Sequence, residues 1–413
     1  MPWQETCAMD ERMRFVMDVL GGQDSKASLC RQYGISRPTG DKWLGRYEEL
    51  GVMGFGDQSR APRHHPNQVS AELGELILAC RRVHPRWGPK KLRATLVRRW
   101  PGIHWPCPST IAGVLHRAGL TISRKKRHRT PAYTEPFAAC DGPNAVWCVD
   151  FKGWFRTLDG SRCDPLTLSD AHSRYLLRLQ VVPDTKDVSV RAVMEAAFRE
   201  YGLPEAIRSD NGTPFASRGI GGLSRLSVWW LKLGIVAERI EPAHPEQNGR
   251  HERMHLTLKG ETANPPARTL RAQQGRFDAF RREFNDSRPH EALDQRYPRE
   301  LYSTSPRPYP DRPTVEYGCG MEVRNVKGNG VLNWRGQVVF LGEALARERV
   351  GLAEVCEGCW GVYLGRQALG IVDERTRKVI DASQAVRKGY VSESALRSPL
   401  RYAPGAPEGT PTM

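Results

Sequence analysis

Three acidic side chains, far apart in the chain, carry the most suggestive chemistry. Asp150 sits in the apolar run Trp147-Cys148-Val149-Asp150-Phe151, Asp210 opens the turn Asp210-Asn211-Gly212, and Glu252 follows Asn248-Gly249-Arg250-His251. Each lies where an apolar strand ends or a helix begins, so the three can converge on divalent metal. Phosphodiester chemistry on two Mg²⁺ ions, or Mn²⁺, needs such hard oxygen ligands, with the ions about 3.5–4 Å apart to hold the attacking and leaving oxygens. Asp150 would bridge both ions, Asp210 would bind one, and a glutamate at a helix start the other.

Two glutamates compete for that third place. Glu246 lies 35 residues beyond Asp210 and Glu252 lies 41 beyond, counting intervening positions. The turn at Asn248-Gly249 favours Glu252, which then falls in the first helical turn, with Lys259 on the same face and able to reach phosphate. Glu246 follows Pro245 in a loop, where no helix holds it. The Gly- and Arg-rich stretch 216–225 is a natural place for the extra residues. Asp170 is a rival carboxylate but reads as structural, with Ser173 and Arg174 shaping the next strand. Asn285, Arg288 and His290 read as braces for the last helix or as DNA contacts.

The elements that must position these acids alternate between strand and helix patterns over 141–305. Strands are expected at Val146–Phe151, Pro165–Asp170, Arg174–Val182 and Ala206–Ser209. An amphipathic helix is expected at Asp187–Tyr201 and another from Arg250. This is a mixed α/β texture.

The front of the chain is helical and basic. The whole chain of 413 residues has 62 Lys and Arg against 46 Asp and Glu, net +16, which favours a polyanionic partner. Residues 1–140 hold 23 of those bases and only 12 of the acids. Over 1–60 the spacing predicts three short helices, with a turn at Gly34 and Ser36 as N-cap of the third, a helix-turn-helix layout. Its last helix would offer Arg37, Thr39, Lys42 and Arg46 to a major groove while Trp43 and Leu44 face inward. Residues 67–122 read as a second helix-turn-helix-like unit, with Lys90 and Lys91 as DNA contacts. A basic linker, 123–140, carries Arg124, Lys125, Lys126 and Arg127, suited to phosphate contacts without sequence information.

Past a Pro-rich stretch, 314–390 reads as a small β-barrel, and 398–413 as a disordered tail. Ten scattered cysteines fit a reducing compartment, and Cys356 with Cys359 reads as the flank of a tight turn rather than half of a zinc site. No window is long and apolar enough to span a membrane and no signal-peptide layout is present, so a cytoplasmic, nucleoid-associated protein is expected.

Four pieces in order resemble the bacterial insertion-sequence transposases with a retroviral-integrase-like catalytic core: Trp147 with Asp150; Ser209-Asp210-Asn211-Gly212; Pro242 to Arg253 through Asn248-Gly249 and Glu252; and Phe284-Asn285 with Arg288-Pro289-His290 and Leu293. The resemblance implies an RNase H-like core, Mg²⁺ or Mn²⁺, and Asp150, Asp210 and Glu252 as the carboxylate triad. It also implies tandem end-binding helix-turn-helix units, double-stranded DNA as element end and target, strand cleavage followed by strand transfer, and a homo-oligomer on DNA. The interval from Asp210 to Glu252 is longer than the family's. Two other classes remain open: an inactive transposase-derived DNA-binding regulator, and a metal-dependent nuclease that does not join.

Overall fold

The computed structural model describes residues 7–59, 68–121, 140–217, 219–240, 249–313, 315–318, 320–365, 367–376 and 378–397. The basic run 124–127, Glu246 and the tail 398–413 lie outside them. The chain forms two compact units, 1–70 and 71–413.

The first unit packs α1 (Ala8–Gly21), α2 (Lys26–Gln32) and α3 (Arg37–Leu50) around Phe15, Val16, Leu29, Cys30, Trp43 and Phe55. Ser25 and Ser36 accept from the backbone N–H of Ser28 and Thr39, which caps α2 and α3. Gly34 turns the chain between them at φ 64°. Close approach of α3 depends on Gly40, where a Cβ would stand 2.9 Å from both Cys30 Sγ and Phe15 Cζ.

The second unit opens with α4 (Ala71–Val83), α5 (Pro89–Arg99) and α6 (Pro108–Arg117), which bury Ile77, Leu92, Leu96, Ile111 and Leu115. Next come β1 (Val146–Phe151), β2 (Phe155–Arg156), β3 (Arg162–Asp170), β4 (Leu176–Val182), α7 (Asp187–Tyr201), β5 (Ala206–Ser209), α8 (Arg225–Lys232), β6 (Val236–Arg239), α9 (Gly249–Thr262) and α10 (Leu270–Asp286). The sheet runs β2-β3-β1-β5-β6, with β4 also on β3. β3 is antiparallel to β1, β2 and β4, whereas β5 and β6 run parallel to β1 and to each other.

Period-2 alternation sorts the strand residues between two helix layers. Trp147, Val149, Leu166 and Leu168 pack with Val190, Met194 and Phe198 of α7 and with Trp229 and Trp230 of α8. On the opposite face Cys163, Leu176 and Leu179 pack with Met254 and Leu258 of α9 and with Phe277, Phe280 and Phe284 of α10. An antiparallel trio extended by two parallel strands, with helices on both faces, is an RNase H-like arrangement.

The final region holds β7 (Glu322–Asn325), β8 (Val331–Trp334), β9 (Gln337–Phe340), β10 (Arg349–Cys356), β11 (Cys359–Leu364), β12 (Gln367–Asp373), β13 (Val379–Asp381), α11 (Ala382–Arg387) and α12 (Glu393–Arg397). The small β-barrel expected over 314–390 does not form. The sheet β13-β12-β11-β10-β7 is open, and β8 pairs with β9 as a separate hairpin. Closure requires the outermost strands to bond each other. Here the sheet's two faces are covered in another way. One packs with the hairpin and with Leu223 and Val228 of the α/β domain; the other packs with Ala385, Val391 and Leu396 around α11 and α12. Cys356 and Cys359 face each other across the turn between β10 and β11.

The stretch 216–225 is the joint between the two sheets. Gly221 N–H donates to Asp381 Oδ2 at 2.8 Å, and Ile220 lies against Gly370, whose Cβ would stand 2.8 Å from Ile220 Cδ1 and 2.3 Å from Ile380 O. Ile220 and Gly221 therefore dock the C-terminal sheet.

Candidate active site

Strand order puts Asp150 in β1 and Asp210 just past the end of the neighbouring β5. Val146 pairs with Ala206, Trp147 with Ile207 and Cys148 with Arg208 in the parallel β1–β5 ladder, which ends two residues before Asp150 and Asp210. Both are at the C-terminal ends of their strands. Asp210 is half-buried, and burial raises its pKa, only partly offset by the Gly212 N–H that it accepts at 3.2 Å. Arg208, on the same face two residues earlier, pairs with Glu238 at 2.9 Å.

Asp150 faces the α9 side of the sheet. Thr167, its cross-strand partner on β3, is fully buried and shares that face. The Thr167 hydroxyl donates to the Asp150 carbonyl at 2.9 Å, and its Oγ1 also lies 2.6 Å from His251 Nε2 and 2.8 Å from His255 Nε2. A hydroxyl has one proton to give and two lone pairs. With the proton on the carbonyl, all three contacts are satisfied when both histidines carry a proton on Nε2, which in a neutral ring leaves Nδ1 bare. Each Nδ1 then carries a lone pair. That of His251 lies 3.4 Å from Ser169 Oγ, and that of His255 lies 3.8 Å from Asp150 Oδ2. Burial pushes the His251 pKa down to about 4; burial, then His251 and Lys152, push that of His255 down to about 2. The contact between His255 and Asp150 is therefore not an ion pair at neutral pH.

One ligand atom from each of Asp150, His251 and His255 lies within 4.8 Å of the others, the one such His/Cys/Asp/Glu group among the described residues. Neither histidine figured in the sequence reading. The available signal was their i, i+4 spacing, which puts them on the face of α9 that also buries Met254 and Leu258.

Glu252 is in the first turn of α9, on its exposed face, with Arg253 and Lys259 exposed along the same helix. Asp170 is structural, accepting the N–H of Asn144 at 2.8 Å and the N–H and hydroxyl of Ser173 at 2.7 and 2.6 Å. Asn285 braces α10 against β4, with Oδ1 accepting from Leu176 N–H and Nδ2 donating to Leu176 O. The Arg288 guanidinium is buried between Glu261 and Glu283. His290 is mostly buried against Phe284, and burial, then Lys91, lowers its pKa to about 3.

In the first unit Arg37 and Lys42 of α3 are exposed, with the Lys42 ammonium 4.7 Å from the Trp43 ring centroid. Thr39 shares a hydrogen bond with Ser36 at 2.8 Å, and Arg46 donates to Gln58 at 3.2 Å. Lys90 and Lys91 are at an internal contact. Lys90 pairs with Glu291, and Lys91 is half-buried, its pKa lowered to about 8 by burial and then by Arg288. Arg98 likewise pairs with Glu300, so α5 packs on the segment after α10. Of the helices in this unit, α6 exposes Ser109, His116 and Arg117.

Comparison with known proteins matches this architecture segment by segment. Residues 141–245 and 233–298 match two models of the integrase core domain, 11–63 a helix-turn-helix domain, and 39–115 a homeodomain-like domain. These matches give the chain helix-turn-helix units followed by an integrase-type core of the polynucleotidyl transferase class. Residues 321–380 match the C-terminal domain of IS481 family transposases. The 31.7 kDa protein of insertion element IS407 from Burkholderia multivorans is 28% identical over 242 residues, 58% of this chain and 82% of that protein. The 39.2 kDa protein of IS476 from Xanthomonas euvesicatoria is 26% identical over 228 residues, 54% of this chain and 63% of its own length. The chain is similar, domain by domain, to insertion-sequence transposases with an integrase core, and in its C-terminal segment to those of the IS481 family. Among solved structures, the catalytic core of BIV integrase overlaps 38% of this chain and 93% of its own, at 20% identity and a TM-score of 0.30. That of HTLV-2 integrase, solved in complex with magnesium, overlaps 39% and 98%, at 14% identity and 0.32.

Proposed function

We propose that this chain cuts DNA at the ends of a mobile element and joins the freed 3′ ends to target DNA. The observation that carries this reading is the parallel pairing of β1 with β5, which ends two residues short of both Asp150 and Asp210 and so supports their meeting at one end of the sheet. In this reading Asp150, Asp210 and Glu252 hold two divalent ions, Mg²⁺ or Mn²⁺. Asp150 and Asp210 offer the hard oxygen donors that such ions take, whereas Glu252 lies on the exposed face of α9 and outside the Asp150 group. Asp210 bears a burial cost that no cationic side chain among the described residues offsets, and a bound cation would remove it. When bound, such ions supply a nucleophile at neutral pH and neutralise charge at the attacked phosphate.

The chain's own residues do the rest. Arg37, Thr39, Lys42 and Arg46 contact the element end through α3, and Arg124, Lys125, Lys126 and Arg127 bind phosphate. Lys259 holds phosphate on the face of α9 that also carries Glu252. A DNA contact by Lys90 has to displace Glu291, and one by Lys91 has to overcome its burial. Bringing two ends to one target requires a homo-oligomer on DNA.

The test is a strand-transfer assay with labelled element-end and target DNA, with and without divalent metal. Cleavage and joined product with metal support the reading. Cleavage without joining makes the protein a nuclease, end binding without either makes it a regulator, and full activity in chelator overturns the metal mechanism.

A further inference from the structure

We infer that the cation held by Asp150 takes Nδ1 of His255 as a further ligand, which makes this centre prefer Mn²⁺ to Mg²⁺. The inference rests on the reading of Asp150 as a metal ligand. Its own basis is the Thr167 hydroxyl. By donating to the Asp150 carbonyl and accepting from both Nε2–H groups, Thr167 leaves the lone pair of His255 Nδ1 as the imidazole atom nearest the Asp150 carboxylate.

The 3.8 Å between Nδ1 and Oδ2 is too long for a hydrogen bond, and in this tautomer both atoms are acceptors. It is the separation of two ligands of one ion. Donors each about 2.1 Å from a cation lie between about 3 Å apart when cis and about 4.2 Å when trans. A metal-bound histidine ordinarily donates its other ring N–H to a fixed acceptor, which sets tautomer and orientation. Thr167 Oγ1, buried in the sheet, is that acceptor. An imidazole donor suits first-row transition ions, whereas Mg²⁺ favours an all-oxygen shell. His251 has a different place: its Nδ1 lies toward Ser169, so it pins α9 against the sheet.

Mn²⁺ added to the full-length chain is the probe, with bound ions counted by EPR and nitrogen coupling read by pulsed EPR. The expected result is ¹⁴N coupling in the wild type that is lost in His255→Gln and kept in His251→Gln. His255→Gln should also bind Mn²⁺ about tenfold or more weakly, and Mg²⁺ should displace Mn²⁺ more readily from it than from the wild type. Bound Mn²⁺ without ¹⁴N coupling in the wild type overturns the inference whether or not any variant folds, and so does coupling lost in His251→Gln but kept in His255→Gln. Asp150→Asn separates the two readings. If it binds as many Mn²⁺ ions as tightly as the wild type, the assignment of Asp150 itself fails; if it loses an ion while the wild type shows no nitrogen, only the histidine ligand fails.

Discussion

At the scale of single residues, the acids and the Thr167 hydroxyl divide the work between chemistry and architecture. Asp150→Asn or Asp210→Asn keeps shape and removes charge, so each variant should lose cleavage and joining, measured on labelled ends, while a gel shift shows end binding retained. Glu252→Gln should behave in the same way and Glu246→Gln should stay active, because α9 holds Glu252 in its first turn; the reverse outcome would move the third ligand into the preceding loop. Thr167→Val has the opposite signature. It strands two buried N–H groups and a carbonyl, so urea unfolding should show a loss of about 2–4 kcal/mol. His290 offers a pH test away from the carboxylates. Its folded pKa is lowered from 6.5 to about 3 by burial, with Lys91, Arg288 and Arg174 adding to the burial and the Phe284 backbone opposing it. The unfolded chain therefore takes up a proton near pH 6.5 that the folded chain refuses. The stability from this group is complete above that pH and falls as the pH drops toward 3, by about 1.4 kcal/mol per unit. Denaturation curves at stepped pH should show a shallower acid slope for His290→Phe.

At the scale of elements, the proposed recognition belongs to helices and register to strands. α3 has one face in the core of the first unit, through Trp43 and Gly40, and turns Arg37 and Lys42 outward. Arg37→Ala and Lys42→Ala should weaken binding to element ends, by about 1–3 kcal/mol for any side chain that reads a base. Titrations against specific and scrambled duplexes check this; an equal loss on both would make these residues phosphate contacts. α5 shows the limit of reading charge as DNA affinity. Lys90, a candidate DNA contact in the sequence, pairs with Glu291, and Arg98 of the same helix pairs with Glu300, each more than 190 residues away.

At the scale of the whole molecule, the stretch between Asp210 and Glu252 couples two domains. Ile220 and Gly221 bind β12 and β13, and Lys232 of α8 pairs with Glu348 at 2.8 Å, so the integrase-type core and the C-terminal sheet share a boundary. Gly370→Val would drive a side chain into Ile380 O and Ile220, a clash costing about 1–3 kcal/mol. If the coupling is strong, tryptophan fluorescence and far-UV circular dichroism should report one shared, weakened transition for 71–413. Two separated transitions would mean that the sheets unfold independently.

The sequence alone determined a good part of this protein. Local patterns suffice for β1, β5 and α7, whose ends coincide with the expected Val146–Phe151, Ala206–Ser209 and Asp187–Tyr201. Alternation and helical period are written in neighbouring residues, as is the capping serine before α3. The integrase family was legible too, from motifs kept in order along the chain. What the tertiary structure decided depends on partners distant in sequence. Thr167 meets His251 and His255 across more than 80 residues. The open C-terminal sheet follows from apolar cover lent by Leu223 and Val228, which no local pattern within 314–390 records. Spacing along a chain encodes which face a side chain takes, but only packing settles what that face meets.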